Sequence, residues 1–254
     1  MKKPVILIGQ GEVGGVFARG LLRSGHPVFP VNRDMDLAQT AQELGEPQAV
    51  IVAVAENDLH PVLDSIPDTW RDRLVLLQNE LLPRDWEQHQ LENPTVISVW
   101  FEKKPGQDFK VLIPSPVYGP NAKLVADALI AIGIPARVLG SADELEQELV
   151  IKNVYILTTN IAGLECGGTV SELWQKHERI ARAVASDVIE IQTHLVGHTL
   201  DAKKLIAGML TAFDGDPEHK CMGRSAPARL ERALRQADEA GLAVAKLREI
   251  HAQC

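Results

Sequence analysis

Residues 9–14 read Gly9-Gln10-Gly11-Glu12-Val13-Gly14, the pattern G-x-G-x-x-G. Its surroundings make it the strongest constraint on the fold. It follows an apolar run, Val5–Ile8, and opens a stretch with helical patterning, Val13–Arg23. A second apolar run, Val28–Val31, completes a β-α-β unit of about thirty residues. In such a unit the first glycine permits a tight turn and the second lets a pyrophosphate approach the backbone. The third lets helix and strand pack closely. The helix N-terminus adds N–H groups and a partial positive charge for phosphate. The expected ligand is therefore a dinucleotide, with Gly9, Gln10, Gly11, Glu12, Val13 and Gly14 as its cradle. The alternative is a tight turn that binds nothing.

The end of the second strand bears on which dinucleotide. An NAD site usually places an acidic residue there to accept from the ribose hydroxyls. Here the strand ends Val31-Asn32-Arg33. A neutral Asn32 followed by a guanidinium suits a 2′-phosphate, which Arg33 can grip with paired hydrogen bonds. The expectation is NADP(H). Asp34 complicates it, either by pairing with Arg33 or by taking the acidic role slightly late. Ala53 and Val54, at the end of a third apolar run (Ala49–Ala55), complete the cofactor-binding set.

Further apolar runs at Leu74–Leu77 and Thr95–Trp100 alternate with helical stretches such as Leu37–Leu44. Alternation of this kind implies a parallel sheet with right-handed crossovers. Short strand-like pieces between Lys110 and Tyr118 are broken by Pro114 and Pro116; a helix over Asn121–Ile132 and a strand over Ile134–Leu139 follow. After Gly140 the texture becomes helical. Ser141 and Glu144 form a capping box, and helices are expected from there to about Leu164, then at Val170–Leu195, Asp201–Ala212 and Ala226–Ala240. In the last of these Leu230, Ala233, Leu234 and Ala237 make one apolar stripe. The expected class is α/β. A Rossmann-type, doubly wound, mainly parallel sheet occupies residues 1–140. An all-helical domain for substrate binding and dimerisation occupies 141–254. A chain of 254 residues accommodates two such domains.

The glycine loop, the Ser24-Gly-His-Pro-Val28 turn, the Asn32-Arg33 strand end and the α/β-then-helical layout resemble the 6-phosphogluconate dehydrogenase-like superfamily. Within it the likeness is closest to the 2-dehydropantoate 2-reductases, or ketopantoate reductases. Leu76-Leu-Gln-Asn79 resembles the strand-end Asn of that family, which lies near nicotinamide and substrate. Ala126–Ile134 resembles the helix and glycine turn that lead out of its first domain. Glu148-Leu-Val-Ile-Lys152 resembles its Glu-Leu-x-x-Lys, whose lysine is the catalytic acid; Asn160 sits where a second asparagine often occurs, and Gly163–Leu173 continues the likeness. The resemblance implies NADPH-dependent reduction of a small 2-keto acid or related carbonyl. Three positions depart from the pattern. Ile156 stands four after the lysine where Asn is frequent. Glu80 follows Asn79 where Gly is usual, and Gly223-Arg224-Ser225-Ala-Pro227 offers no acid where the family carries a substrate-binding glutamate. These departures motivate a second reading, a catalytically degenerate NADP(H)-binding sensor or interaction protein.

Ketone reduction by hydride needs a proton at the forming alkoxide, and an ammonium can both stabilise and protonate it. Lys152 lies amid Leu149, Val150, Ile151, Val154 and Ile156, where a dry setting would lower its pKa. The alternative is a lysine snorkelling at a helix surface. Asn79 ends a strand on the side where open α/β sheets bind ligands; a turn-forming role is the alternative. Asn160 shares a helix face with Lys152 at about 12 Å along the axis, and serves either substrate or packing. Tyr155 and Thr159 border that face or belong to the core. Arg224 and Ser225 could meet a substrate carboxylate, although Ser225 is also a helix N-cap candidate.

Other classes find little support. A net charge of −8 gives no phosphate-backbone footprint, and no apolar run reaches a membrane-spanning length. His194 and His198 have ligand spacing for one helix face but no third partner, so no metal site is expected. The three cysteines show no metal or disulfide spacing and suggest a reducing, cytoplasmic setting. A homodimer through the helical domain is a further expectation.

Overall fold

The first apolar run becomes the middle of a sheet. Strand β1 (Val5–Ile8) is buried at every residue, as suits a parallel strand covered on both faces. It pairs in parallel with β2 (Val28–Val31) on one side and β3 (Ala49–Val52) on the other. Strands β4 (Leu74–Leu76) and β5 (Thr95–Ile97) continue the parallel sheet beyond β3. The structure, a computed structural model, describes residues 2–253. A hairpin of β6 (Phe101–Glu102) and β7 (Lys110–Val111) stands apart from the sheet. β8 (Ser115–Tyr118) then joins β5 antiparallel, and β9 (Ala136–Val138) joins β8 in parallel. The seven-stranded order is β2-β1-β3-β4-β5-β8-β9. The chain passes from β1 to β2 on one side and then crosses back to β3 on the other, so the strand order reverses at β1 and its carboxyl end is a topological switch point.

Helices α1 (Glu12–Arg23), α2 (Leu37–Leu44), α3 (Leu59–Ser65), α4 (Pro83–Glu87) and α5 (Ala122–Ile130) flank the strands. Phe17 and Leu21 of α1 and Val125 and Leu129 of α5 form one core with Leu7 and Ile51 of the sheet. Two strands are shorter than their apolar runs. The run Ala49–Ala55 leaves the sheet after Val52. The run Thr95–Trp100 outlasts β5, which ends at Ile97; beyond it the Ser98 N–H still donates to the Pro116 carbonyl and the Trp100 N–H donates to the Ser115 hydroxyl, both at 2.9 Å. Strand β7 falls among the short strand-like pieces expected between Lys110 and Tyr118, whereas the short helices α3 and α4 carry no periodic signal and were not expected.

Beyond Gly140 the chain is helical: α6 (Ala142–Cys166), α7 (Val170–Val196), α8 (Ala202–Gly215), α9 (Ala226–Ala240) and α10 (Ala245–His251). Ser141 accepts from the Glu144 N–H at 3.2 Å, while the Glu144 carboxylate accepts from Gly140 rather than Ser141. Helix α7 opens with a full capping box, Thr169 with Glu172. It ends at Gly197 in the left-handed conformation, so His198 lies outside it. His194 and His198 therefore do not share a helix face, and the sequence spacing misleads. The α9 stripe Leu230, Ala233, Leu234 and Ala237 is buried. Two compact units result, Met1–Glu148 and Leu149–Cys254. The division falls inside α6, and an ion pair between Arg137 of β9 and Glu148 links the first turns of that helix to the sheet. No helix among the described residues is long and apolar enough to cross a membrane.

Candidate functional site

In the first unit the glycine loop turns from the carboxyl end of β1 into α1. Gly9 has φ +92°, and a Cβ there would lie 2.6 Å from the Ala53 carbonyl oxygen. Gly14 is equally confined: a Cβ would meet the Gly9 carbonyl oxygen at 2.4 Å. Both positions fix the shape of the turn. At Gly11, by contrast, a Cβ would meet nothing within 4 Å, so this face of the loop is open to a ligand. The open side leads into a cavity of about 930 Å³ along the carboxyl ends of β1, β2 and β3. Gly9, Gln10, Gly11, Asn32, Arg33, Ala53 and Val54 all line it. The remaining members of the expected set act otherwise. Gly14 is buried beneath the turn and Val13 packs on the sheet core. Glu12 faces a smaller cavity, about 190 Å³, that shares Gln10 and Gly11 with the first.

Polar contacts organise the rim. Gln10 donates to the Asn32 side chain at 2.5 Å, which joins the glycine loop to the end of β2. Arg33 pairs with Asp58 at 2.9 Å, not with Asp34, which corrects one sequence expectation. Asp36 caps α2 by accepting from the Gln39 N–H. Glu12 is the first residue of α1, where its carboxylate faces the helix N-terminus. Lys103 of the hairpin offsets it with an ion pair of 2.7 Å. The residues present fit a dinucleotide: an open glycine turn, free helix N–H groups and a cation at the ribose end.

At the end of β4 the neighbouring residue proves as important as Asn79. Gln78 is buried; its amide donates to the carbonyls of Val52 and Val54 at 2.7 and 3.3 Å and its oxygen accepts from the Leu77 N–H. It locks the ends of β3 and β4 together. Asn79 is half-buried, and its amide donates to Glu56 at 3.0 Å. Glu80 has φ +61°. The glutamate thus holds a left-handed conformation, which only glycine adopts without strain.

In the helical unit every residue of α6 from Leu149 to Gly163 is buried. Helices buried on all sides form the centre of a helical domain. Lys152 is 5% exposed and Asn160 8%, so the surface-snorkelling reading of Lys152 does not hold. Asn160 donates to the Ile156 carbonyl at 2.8 Å and accepts from the Gly223 N–H at 3.3 Å. Its amide thus anchors the loop that carries Arg224 and Ser225, both exposed. Ser225 sits at the N-cap of α9 but makes no side-chain cap bond, against the sequence expectation. Tyr155 packs edge-on against Phe213 with centroids 5.8 Å apart, and the Thr159 hydroxyl donates to the Tyr155 carbonyl at 2.8 Å. Both belong to the core. Gln78, Asp58 and Lys103 escaped the sequence reading. A glutamine ending a buried apolar strand was a usable signal for the first; the other two depend on contacts between distant segments.

No protein-family model and no curated protein sequence matches the chain. Solved structures do match its fold. A 2-dehydropantoate 2-reductase from Methylococcus capsulatus aligns with a TM-score of 0.69 at 16% identity, covering 98% of this chain and 95% of that one. A dimeric ketopantoate reductase from Staphylococcus aureus aligns at 0.66 and 17% identity, covering 98% and 96%. A D-mandelate dehydrogenase, solved with NADH and anilino(oxo)acetate, aligns at 0.67 and 16% identity, covering 97% and 96%. The chain has the fold of these proteins, a Rossmann-type sheet followed by a helical domain.

Proposed function

We propose that the chain is an NADP(H)-dependent oxidoreductase that reduces a small 2-keto acid or a related carbonyl. The observation that carries this reading is the cavity of about 930 Å³ at the glycine loop, with Arg33 on its rim. The fold likeness to 2-keto acid reductases and a 2-hydroxy acid dehydrogenase supports the reaction class. Bound NADPH would supply the hydride. Gly9, Gln10, Gly11 and the first turn of α1 would hold the pyrophosphate, with Asn32 and Arg33 at the 2′-phosphate and Ala53 and Val54 along the nucleotide. Asn79 would orient the reacting groups. Hydride addition leaves an alkoxide, and the Lys152 ammonium would transfer its proton to that oxygen. Arg224 and Ser225 would bind the carboxylate of the substrate, with Asn160 holding their loop in place.

Calorimetric titration with NADPH and NADH, followed by turnover assays across a panel of 2-keto acids, tests the proposal. Tighter binding of NADPH and turnover of at least one acid are expected. Absence of NADPH binding would refute it. One observation favours the second reading, a cofactor-binding protein without catalysis: the Asn79 amide is already engaged by Glu56. Tight NADPH binding with no turnover by any acid would select that reading. Assembly as a homodimer through the helical unit is also proposed, in line with the dimeric Staphylococcus aureus protein. Light scattering at a monomer mass would dismiss it.

A further inference from the structure

Asp58 belongs to no sequence motif, yet it lines the same cavity as Arg33 and forms the Arg33 ion pair at 2.9 Å. The other carboxylate of the lining, Asp36, is committed to capping α2. Asp58 has no comparable duty, because it occupies the N-cap position of α3 and its side chain caps nothing. The pair is also exposed, with the Arg33 side chain at 92% and that of Asp58 at 45%. An ion pair that open contributes little to folding. Its consequence lies in what reaches the cavity. A 2′-phosphate must take the guanidinium from Asp58 and then stand near an anionic carboxylate. A 2′-hydroxyl does neither, and a carboxylate can accept its hydrogen bond.

We infer that Asp58 is a specificity-determining residue: it weakens binding of the 2′-phosphorylated cofactor and so narrows the preference for NADP(H) over NAD(H). The inference rests on the reading of Arg33 as the phosphate ligand. Two small probes isolate the 2′ position. 2′-Phospho-AMP and 5′-AMP are titrated by calorimetry into the full chain, as wild type, Asp58→Asn and Arg33→Ala. Exposed ion pairs correspond to affinity changes of up to about fivefold. Asp58→Asn should therefore bind 2′-phospho-AMP about fivefold tighter, with no gain for 5′-AMP. An unchanged ratio of the two affinities, or equal tightening of both, overturns the inference. Arg33→Ala separates the two failures. If it loses 2′-phospho-AMP while Asp58→Asn leaves the ratio unchanged, only the role of Asp58 falls. If Arg33→Ala also leaves the ratio unchanged, the phosphate reading falls and this inference with it. Asp58→Ala, read the same way, guards against an artefact of the asparagine.

Discussion

One methyl group added to each of two adjacent glycines should have opposite effects. A Cβ at Gly14 would lie 2.4 Å from the Gly9 carbonyl oxygen and 3.3 Å from the Ala53 Cβ, whereas a Cβ at Gly15 meets nothing within 4 Å. Both residues lie in α1, where Gly→Ala favours the helix by about 1 kcal/mol. At Gly15 that gain should appear almost whole. At Gly14 it is opposed by overpacking, about 1–3 kcal/mol. The obstacle is backbone, so relief requires roughly 0.6 Å of movement of the turn itself. The net expectation is a gap of about 2 kcal/mol between the variants, or about 6 °C in Tm for units of this size. The displaced turn should also weaken NADPH binding by about tenfold or more in Gly14→Ala. Thermal unfolding and NADPH titration of both variants check this. Equal stability of the two, with wild-type NADPH affinity in Gly14→Ala, would refute the packing argument for the turn.

Removing Lys103 leaves the Glu12 carboxylate unopposed at the phosphate end of α1; Lys103→Ala should weaken NADPH about three- to tenfold, an effect that fades as salt is raised. Asn160→Ala should release the loop at Gly223, raising KM for the keto acid severalfold while NADPH affinity stays within twofold, as steady-state kinetics would show. Burial pushes the Cys221 thiol up to about 12, with Cys166 and Glu172 adding to the effect. The folded state then keeps a proton that the unfolded state loses. Stability should be full below about pH 9 and fall as pH rises toward 12, by up to about 1.4 kcal/mol per pH unit. Urea midpoints from pH 8 to 10.5 should show this slope in wild type and a shallower one in Cys221→Ala.

Features set by local chemistry were legible in the sequence. Helices α2 and α9 have the expected bounds, Leu37–Leu44 and Ala226–Ala240, because caps and apolar stripes mark them. That Gly9, Gln10, Gly11, Asn32, Arg33, Ala53 and Val54 come together around one cavity was legible, because a glycine turn and the ends of neighbouring parallel strands must meet at one sheet edge. What stayed hidden depends on segments far apart in the chain. Lys103 meets Glu12 across 91 residues and Asp58 meets Arg33 across 25, and no local pattern encodes either. His194 and His198 show the converse error: their spacing is helical, but Gly197 ends the helix between them. Asn160 has the position expected of it, yet its amide serves the Gly223 loop.

In the proposed reaction Lys152 protonates the alkoxide left by hydride addition from NADPH. A single-turnover experiment tests it: protein saturated with NADPH is mixed with the best acid of the 2-keto acid panel, and loss of reduced nicotinamide is followed in wild type and Lys152→Ala. Both proteins should bind NADPH alike, and the variant should oxidise it about 10²- to 10⁴-fold more slowly. Equal rates in the two proteins would contradict proton donation by Lys152.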